Sequence, residues 1–516
     1  MKTCVVRKRM EPKASISNYN FDIELTPGFG IPKCGICFST NGAADNDAFD
    51  ETSPDRAFGI GFFGYSYANP ATFASYNCGI GFTHAGTAGT QAKAVSGSLL
   101  TGRIAYENRT DRAVIRQCNI VSVSEDKLTV NLVWTNPASS YFDLIFVLFG
   151  GEDIQANIGV LALTITANGT ASATGLSYSP DVVFTMGSGF GFTGGNADGR
   201  LTFGCATKSD GIKNSASLYR MRSNAIGTSG LASTAVEQYV ATDSCFVMST
   251  AFRNDLLRAK VTSFNSDGFT VTTQTSGFTN GSTNGLLYLA IKGVSPEHFN
   301  LQNYSSSTSS GLSAIATSNF IPQLIIGALS SVTSTGATVI SNDSTGYSIF
   351  AVKSSTAKNY YSTGTITVSS GSTSVTGSGT GFSRFNVGDL VLSSTNNVVG
   401  VISEVVNNTS LFLKENSPIA LTSDNFSFRP YEQFSVTIGS SNLSSSTKIA
   451  SSVSQNSIKV VKFGAAAGIS TVVSGAINNF DSYPGFKINY NTVDASSRKG
   501  WFLAIKDTDL RRRDSN

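Results

Sequence analysis

Short apolar runs separated by polar loops recur along the whole chain. In many runs apolar residues alternate with small or polar ones, as where Phe58, Ile60 and Phe62 occupy every second position. Alternation with period two predicts half-buried β-strands. Helix-forming residues are scarce, while Gly, Ser, Thr and Asn fill the segments between the runs. The pattern therefore predicts an all-β protein with many turns.

One arrangement of these runs occurs three times. An aromatic residue is followed after one or two positions by a proline and an apolar run, and the prolines are Pro32, Pro180 and Pro322, spaced 148 and 142 residues apart. Each copy closes with another apolar run, at 142–149, 287–292 and 501–506. The tetrapeptide Leu-Ala-Ile-Lys at 289–292 recurs unchanged at 503–506. A repeat of this kind indicates one structural unit used several times.

Each copy also contains an alternating strand and a hairpin between its two ends. The alternating positions are Phe58, Ile60 and Phe62 in the first copy, Leu201, Phe203 and Cys205 in the second, and Tyr347, Ile349 and Ala351 in the third. Hairpin turns are predicted at 125–126, 267–268 and 455–456. The Asp-Gly pair at 267–268 is a strong turn signal because Gly adopts positive φ readily. We predict a unit of roughly 120–140 residues used three times.

The third copy is longer than the second by 72 residues, counted from its proline to its closing lysine. The excess falls at about 362–430, where short strands suffice for a small barrel of five or six strands. The predicted organisation is an N-terminal arm at 1–13, antiparallel β-sandwich repeats at 14–150, 151–297 and 298–508, the small β-barrel inserted in the third repeat at 362–430, and a basic tail at 509–516. Insertions at loop tips are tolerated because they disturb no packed core.

Composition excludes several classes of protein. With 50 Gly, 34 Phe, 17 Tyr and 14% charged residues, the chain resembles neither a disordered segment nor a coiled coil. Its net charge of +3 is too small for the basic face that nucleic-acid binding requires. Arginine and lysine gather near the two ends, at 7–9 and 511–513, and we interpret both groups as solvated tails, with a docking arm as the alternative.

The chain carries no sequence signal for membrane insertion or export. No apolar run approaches the ~20 residues of a membrane-spanning helix. The segment 1–13 has charge but no following apolar stretch of the secretory type. We therefore expect neither insertion into a membrane nor export by the Sec route. A component of a virus particle needs neither, because lysis of the host cell releases the particle.

Cysteine and histidine offer little chemistry. The cysteines are Cys4, Cys34, Cys37, Cys78, Cys118, Cys205 and Cys245. Their odd number and scattered positions do not form a disulfide framework, and they favour folding in a reducing cytoplasm. The CxxC pair Cys34 and Cys37 lies in an apolar strand, where thiols act as small apolar groups. The two histidines, His84 and His298, are too few for a multi-histidine zinc site.

One dense carboxylate cluster occurs, formed by Asp45, Asp47, Asp50, Glu51 and Asp55. We interpret it as a solvated acidic loop, with a Ca²⁺ site as the alternative, although the glycine and spacing of an EF-hand loop are missing.

No phosphate-binding loop, nucleophile elbow or His-Glu-x-x-His motif occurs. A glycosidase would need two carboxylates roughly 5–10 Å apart, which the sequence does not place. The carboxylates Asp126 and Asp267 are explained by turn formation. We therefore predict no catalytic, cofactor-binding or metal-binding residues, and a protein that is not an enzyme.

Aromatic residues fall on both faces of one segment. Phe62, Phe63, Tyr65 and Tyr67 follow one another within 61–67. If one face belongs to the core, the other face must be covered by a partner or exposed for binding. An intersubunit contact is the first interpretation, and receptor binding is the second.

These motifs resemble those of tailed-bacteriophage structural proteins. The repeated unit is similar to a module with a Gly-Phe-x-Pro strand that recurs in tail and fibre chains. The insert resembles the small barrel of tail-fibre and baseplate-type proteins through 372–382, Val387-Gly388-Asp389 and Thr409-Ser410-Leu411. The resemblance implies β-sandwiches, oligomers and a virion component, and it supplies no catalytic residue.

The sequence thus leads to a functional expectation. We expect a non-enzymatic structural component of a tailed-phage virion, assembled in the host cytoplasm and located in the tail, baseplate or fibre apparatus. Its expected partners are further copies of itself in a trimer or hexamer, other virion proteins, and a host surface glycan or receptor. The alternatives are a capsid decoration protein of the head-fibre kind and a polysaccharide-degrading tailspike.

Overall fold

The chain is nearly all β-sheet. The computed structural model describes residues 1–10, 15, 17–25, 29–42, 55–66, 73–84, 92–108, 114–135, 141–164, 166–187, 198–209, 211–222, 235–249, 256–274, 284–316, 320, 322–336, 339–341, 345–353, 363–382, 390–395, 397–413, 415–429, 433–443, 446–455, 458–464, 468–479 and 485–506. Strands make up 70% of the protein. The described residues contain no α-helix, and Pro296–His298 forms a short 3-10 turn. The all-β prediction is confirmed.

Twenty strands are described between Lys2 and Lys292. The first ten are β1 (Lys2–Met10), β2 (Ser17–Glu24), β3 (Pro32–Gly42), β4 (Asp55–Ser66), β5 (Phe73–His84), β6 (Ala92–Thr101), β7 (Ala105–Asn108), β8 (Val114–Ser124), β9 (Lys127–Trp134) and β10 (Tyr141–Gly150). The next ten are β11 (Gln155–Leu163), β12 (Thr170–Ala173), β13 (Val182–Gly187), β14 (Asp198–Thr207), β15 (Lys213–Arg222), β16 (Ala235–Ala241), β17 (Phe246–Ser249), β18 (Leu256–Asn265), β19 (Gly268–Thr273) and β20 (Asn284–Lys292).

Eighteen more are described between Phe299 and Ile505. They begin with β21 (Phe299–Ser305), β22 (Gly311–Ala316), β23 (Leu324–Ser330), β24 (Val339–Ser341), β25 (Thr345–Lys353), β26 (Thr365–Val368), β27 (Ser374–Ser378), β28 (Leu390–Ser393) and β29 (Val398–Asn407). They continue with β30 (Ser410–Leu413), β31 (Leu421–Asp424), β32 (Phe426–Arg429), β33 (Gln433–Leu443), β34 (Ser446–Gln455), β35 (Ile458–Gly464), β36 (Gly468–Asn479), β37 (Gly485–Thr492) and β38 (Lys499–Ile505).

The chain forms two compact units. The larger comprises Met1–Val352 with Phe434–Asn516, and the smaller is Lys353–Gln433. The smaller unit encloses the segment 362–430 in which the sequence predicts an insert.

Strand order in the larger unit follows one scheme three times. A large sheet has the order β1-β10-β3-β4, with β5 and β6 continuing from β4. The order β11-β20-β13-β14-β15-β16 occupies corresponding positions, and β21-β38-β23-β25-β33-β34 forms a separate six-stranded sheet. The first two series join into one 13-stranded sheet because β11 pairs with β4 in parallel. The strand β24 extends this sheet beside β16.

Three smaller sheets have matching orders as well. They are β2-β9-β8-β7, β12-β19-β18-β17 and β22-β37-β36-β35, each with four strands. The predicted hairpins at 125–126 and 267–268 are present as β8–β9 and β18–β19. The third predicted hairpin is wrong, because β34 pairs with β33 and not with β35. The corresponding pair is β36–β37, so the chain passes from the large sheet to the small one between β34 and β35.

A central hydrophobic cluster unites all three series of large-sheet strands. The nine alternating residues identified in the sequence, from Phe58 to Ala351, all belong to it. Each series also contributes residues from its closing strand, such as Phe149, Leu289 and Leu503. The order of contacts is cyclic: β5 and β6 contact β14, β15 contacts β38 and β23, and β34 contacts β3 and β4. The large sheets therefore enclose one shared core.

The other faces of the large-sheet strands pack against the small sheets. One cluster joins β1, β3 and β10 to β8 and β9. A second joins β13 and β20 to β18 and β19. A third joins β23 and β38 to β36 and β37. The central strands are buried on both faces as a result, so the prediction of half-buried strands is wrong for β4, in which every residue from Ala57 to Gly64 is buried.

The smaller unit is a single curved sheet. Its seven strands have the order β31-β26-β27-β30-β29-β28-β32, one more than the upper number predicted. The two end strands, β31 and β32, are separated in sequence by Asn425 alone, and the sheet is nearly closed into a barrel. Its core includes Val375, Leu411 and the edge-to-face pair Phe382 and Phe426, whose ring centroids are 5.9 Å apart.

Candidate functional site

The cysteine thiols are packing groups. All seven are buried and none forms a disulfide. Cys34 and Cys37 lie on β3, but Cys34 belongs to the central cluster and Cys37 to the cluster beneath the first small sheet. Side chains three positions apart on a strand point to opposite faces, so this pair does not share a metal ion. Burial raises the pKa of both thiols.

The other candidate metal ligands do not converge where the structure describes them. His298 is buried at the end of the 3-10 turn, and the side chain of His84 lies outside the described part of the chain. The acidic cluster from Asp45 to Glu51 also lies outside it, as does the side chain of Asp55. Among the described residues, no three His, Cys, Asp or Glu side chains gather at one point.

The aromatic segment on β4 is covered by the chain itself. Phe62 is fully buried in the central cluster, and Phe63 is fully buried against the first small sheet. Tyr65 packs edge-on against Phe73 with a centroid distance of 4.9 Å. The argument that one face needs a partner is therefore wrong for Phe62 and Phe63. Tyr67 lies outside the described residues.

The basic residues near the N-terminus belong to a strand. β1 pairs along its full length with β10, so the interpretation as a solvated arm is wrong for residues 2–10. Arg7 is buried, and its Nε donates to Asp143 Oδ1 at 2.8 Å. Arg9 Nη2 donates to Asp143 Oδ2 at 3.3 Å, and burial lowers the pKa of Lys8. The residues 511–513 lie outside the described part.

Two hairpin-tip aspartates hold the loop that precedes a central strand. The Asp126 carboxylate accepts from the Gly30 backbone N–H at 2.6 Å, and the Asp126 carbonyl accepts from Leu25 N–H at 2.8 Å. Asp267 repeats both contacts in the second series, with Gly175 at 3.2 Å and Leu176 at 2.8 Å. These carboxylates therefore do more than form turns, because they fix each hairpin to the neighbouring loop.

Two glycines allow the chain to cross closely over the large sheet. A β-carbon on Gly61 would lie 2.7 Å from the carbonyl carbon of Ile104, and one on Gly204 would lie 2.8 Å from that of Cys245. Both crossing residues make the same backbone bond at 2.9 Å, Ile104 N–H to Cys118 and Cys245 N–H to Ala259. The first and second series thus agree in individual contacts as well as in strand order.

Buried polar groups join the second and third series. Ser217 Oγ on β15 lies 2.7 Å from the Tyr347 hydroxyl on β25 and accepts from Trp501 Nε1 on β38 at 3.3 Å. Burial raises the pKa of Tyr347. These groups satisfy one another inside the central cluster, and satisfied buried networks favour a single packing arrangement.

A second group of buried polar side chains also joins the second and third series. The Gln238 side chain on β16 donates to the Gly346 carbonyl at 2.9 Å and accepts from Ser330 and Ser331 at 3.0 and 2.8 Å. The sequence analysis predicted neither of these two groups of polar contacts. Ser217 lies between Ala216 and Leu218 in a strand of mixed polar and apolar residues, so no local pattern marks it.

The barrel exposes apolar side chains of its own. Val406 on β29 is 50% exposed, and Phe412 on the adjacent strand β30 is 37% exposed. The pairing of Glu404 with Phe412 places an acidic residue beside the ring. The segment Val387-Gly388-Asp389, which carries part of the barrel resemblance, lies outside the described residues.

Comparison of the chain with known protein families, curated proteins and solved structures gave no match. In the described part of the chain, no helix has the length and apolar character needed to span a membrane.

Proposed function

We propose that the chain is a non-enzymatic structural component of a tailed-phage virion, located in the tail, baseplate or fibre apparatus. The observation that carries the proposal is a shared core enclosed by three series of strands in the same order, to which a separate barrel is added. The buried polar groups described above contact one another and backbone groups, an arrangement that serves rigidity. The motif resemblance to phage tail and fibre chains supports the placement.

We further propose that the larger unit consists of three copies of one ten-stranded antiparallel β-sandwich, in tandem. Matching strand orders in the large and small sheets support this. The shared contacts of Gly61 and Gly204, and of Asp126 and Asp267, support it for the first two copies. The first copy then begins at β1, earlier than residue 14, and the barrel interrupts the third copy between β25 and β33.

The proposed partners are other virion proteins, further copies of the chain, and a host surface glycan or receptor. Where the structure describes them, the apolar side chains of the large sheets are covered within the chain, so these side chains do not require a homotrimer or homohexamer. A homo-oligomer would have to use other surfaces. Native mass spectrometry at micromolar concentration distinguishes a stable monomer from a trimer or hexamer.

The placement is tested on particles of the phage that encodes the chain. Gold-labelled antibody against the chain should mark the tail end and block adsorption. Labelling over the whole head with normal adsorption would refute the placement and favour a capsid decoration protein. New reducing ends after incubation with host surface glycan would instead identify a polysaccharide-degrading spike.

The barrel is proposed as an outward binding module. It is compact by itself and exposes Val406 and Phe412 on neighbouring strands. Deletion of 362–430 should leave particle assembly intact and change adsorption. Loss of assembly would show that the barrel connects virion proteins to one another.

A further inference from the structure

A polar cleft lies where the second series of strands meets β21. Its volume is about 320 Å³, and it is lined by Ile212, Lys213, Asn214, Ser215, Thr242, Asp243, Lys260, Leu301 and Asn303. This volume is at the small end of the range for small-molecule sites, about 300–1,000 Å³. The cleft would therefore accommodate one or two sugar-sized rings.

A buried asparagine holds the backbone beside Lys213 and Lys260. Asn214 Oδ1 accepts from the Val261 backbone N–H at 2.8 Å, and Asn214 Nδ2 donates to the Val261 carbonyl at 3.1 Å. These two hydrogen bonds connect β15 of the 13-stranded sheet to β18 of a four-stranded sheet. Lys213 and Lys260 immediately precede the tied residues, so both ammonium groups are carried by backbone that is held in place.

The opposite wall supplies an amide and an apolar floor. Ser215 Oγ donates to Asn303 Oδ1 at 2.9 Å, which orients the amide and leaves its NH₂ group as a donor. Leu301, two positions earlier on β21 and thus on the same face, is buried at 2% exposure. Donors above an apolar floor suit a ligand that has oxygen atoms on an apolar ring.

The charge balance of the cleft favours an anion. The Asp243 carboxylate accepts from Gln274 Nε2 at 3.2 Å and pairs with Arg258 Nη1 at 3.4 Å, which offsets its charge. Lys213 and Lys260 also line the cleft, so its described lining includes two cationic side chains and one carboxylate that is already paired. An ammonium group binds a carboxylate through a charge-assisted hydrogen bond.

We propose that this cleft binds a hydroxylated carboxylate, such as a uronic acid unit of a saccharide. Lys213 and Lys260 bind the carboxylate, while the Asn303 amide and the Thr242 hydroxyl bind ring hydroxyls. The inference deepens the proposed function, on which it rests for the glycan as a class of partner, and it is tested on the purified chain independently of virion placement.

The test is titration of the full-length chain with methyl β-D-glucuronide, followed by calorimetry or ligand-observed NMR. Methyl β-D-glucoside has the hydroxyls without the carboxylate, and acetate has the carboxylate without the hydroxyls. The glucuronide should bind at least tenfold more tightly than either. Raising the salt concentration from 50 to 500 mM should weaken its binding, since screening reduces attraction between charges near the surface.

Charge removal at single positions makes the test specific. Lys260→Gln should weaken glucuronide binding at least tenfold, and Lys213→Gln provides a second, independent variant. Lys292→Gln is the matched control, because Lys292 is exposed at the end of β20 and does not line the cleft. Equal affinity for glucuronide and glucoside, or equal binding by the Lys260 and Lys292 variants, would overturn the proposal. Neither result bears on virion placement, which antibody labelling tests separately.

Discussion

The close approach at Gly61 allows a quantitative test of the fold. In Gly61→Ala the new methyl carbon would lie 2.7 Å from the Ile104 carbonyl carbon and 2.9 Å from its α-carbon. Carbon atoms normally approach to about 3.5–4.0 Å, so the Ile104 segment must move by about 1 Å.

The shift disturbs two hydrogen bonds of Ile104. Its N–H donates to the Cys118 carbonyl at 2.9 Å, and its carbonyl accepts from Asn77 Nδ2 at 3.2 Å. Each bond contributes about 0.5–1.5 kcal/mol. Overpacking of a tight core adds about 1–3 kcal/mol. Gly61→Ala should therefore lower the free energy of unfolding by about 2–6 kcal/mol.

Gly64→Ala on the same strand is the matched control. Its methyl group would meet Cys34 Cβ at 3.1 Å and Ile158 Cγ2 at 3.3 Å, which are side-chain atoms that can shift slightly. We expect a loss of about 1 kcal/mol or less for this variant. Urea unfolding followed by tryptophan fluorescence is suitable, because Trp134 is buried in the same part of the protein. Equal midpoints for the two variants would refute the close crossing of Ile104 over β4.

Three further outcomes are expected. Burial raises the pKa of Asp181, so the stability that depends on its neutral form is complete at low pH and is lost as the pH rises through the folded-state pKa. Asp181→Asn keeps an oxygen that can accept from Gly293 N–H. In melting experiments this variant should be more stable than the wild type at pH 7 but not near pH 3.5. The opposite order of stabilities would contradict the raised pKa. Arg7→Ala leaves Asp143 buried with only part of its pairing and should cost about 3–5 kcal/mol in urea unfolding, whereas a cost below about 1 kcal/mol would show that the carboxylate is solvated. Burial raises the pKa of Cys245 to about 12, so Ellman's reagent at pH 8 should modify few of the seven thiols in the native protein and all of them in guanidinium; rapid native labelling of most thiols would contradict their burial.

Apolar periodicity was sufficient to find the strands that form the central cluster. The alternating residues from Phe58 to Ala351 were identified from the sequence, and all of them face this cluster. Periodicity did not reveal that the opposite face of β4 is also buried, because glycine occupies several positions there, as at Gly59 and Gly61. A strand that alternates Phe with Gly has the appearance of a half-buried strand, although a neighbouring backbone fills the space above the glycines.

Long-range pairing explains the remaining errors. The charged segment at 7–9 appeared solvated because its partner, Asp143, is more than 130 residues away in the sequence. The turn at 455–456 has good hairpin residues, yet the strands on either side of it belong to different sheets. The cleft lined by Lys213 and Lys260 was not found, since its walls come from β15, β18 and β21 and none of its residues forms a local motif.

The shared core affects how the sequence of each series of strands can diverge. A ring assembled from three separate chains dissociates on dilution, and any domain added to one subunit appears three times. When the three series of strands are covalently joined around one core, dilution cannot separate them, and each series is free to diverge by itself. In the described part of the chain, one nearly closed sheet interrupts the third series, between β25 and β33. A single insertion of this kind is possible because each series has its own stretch of the sequence.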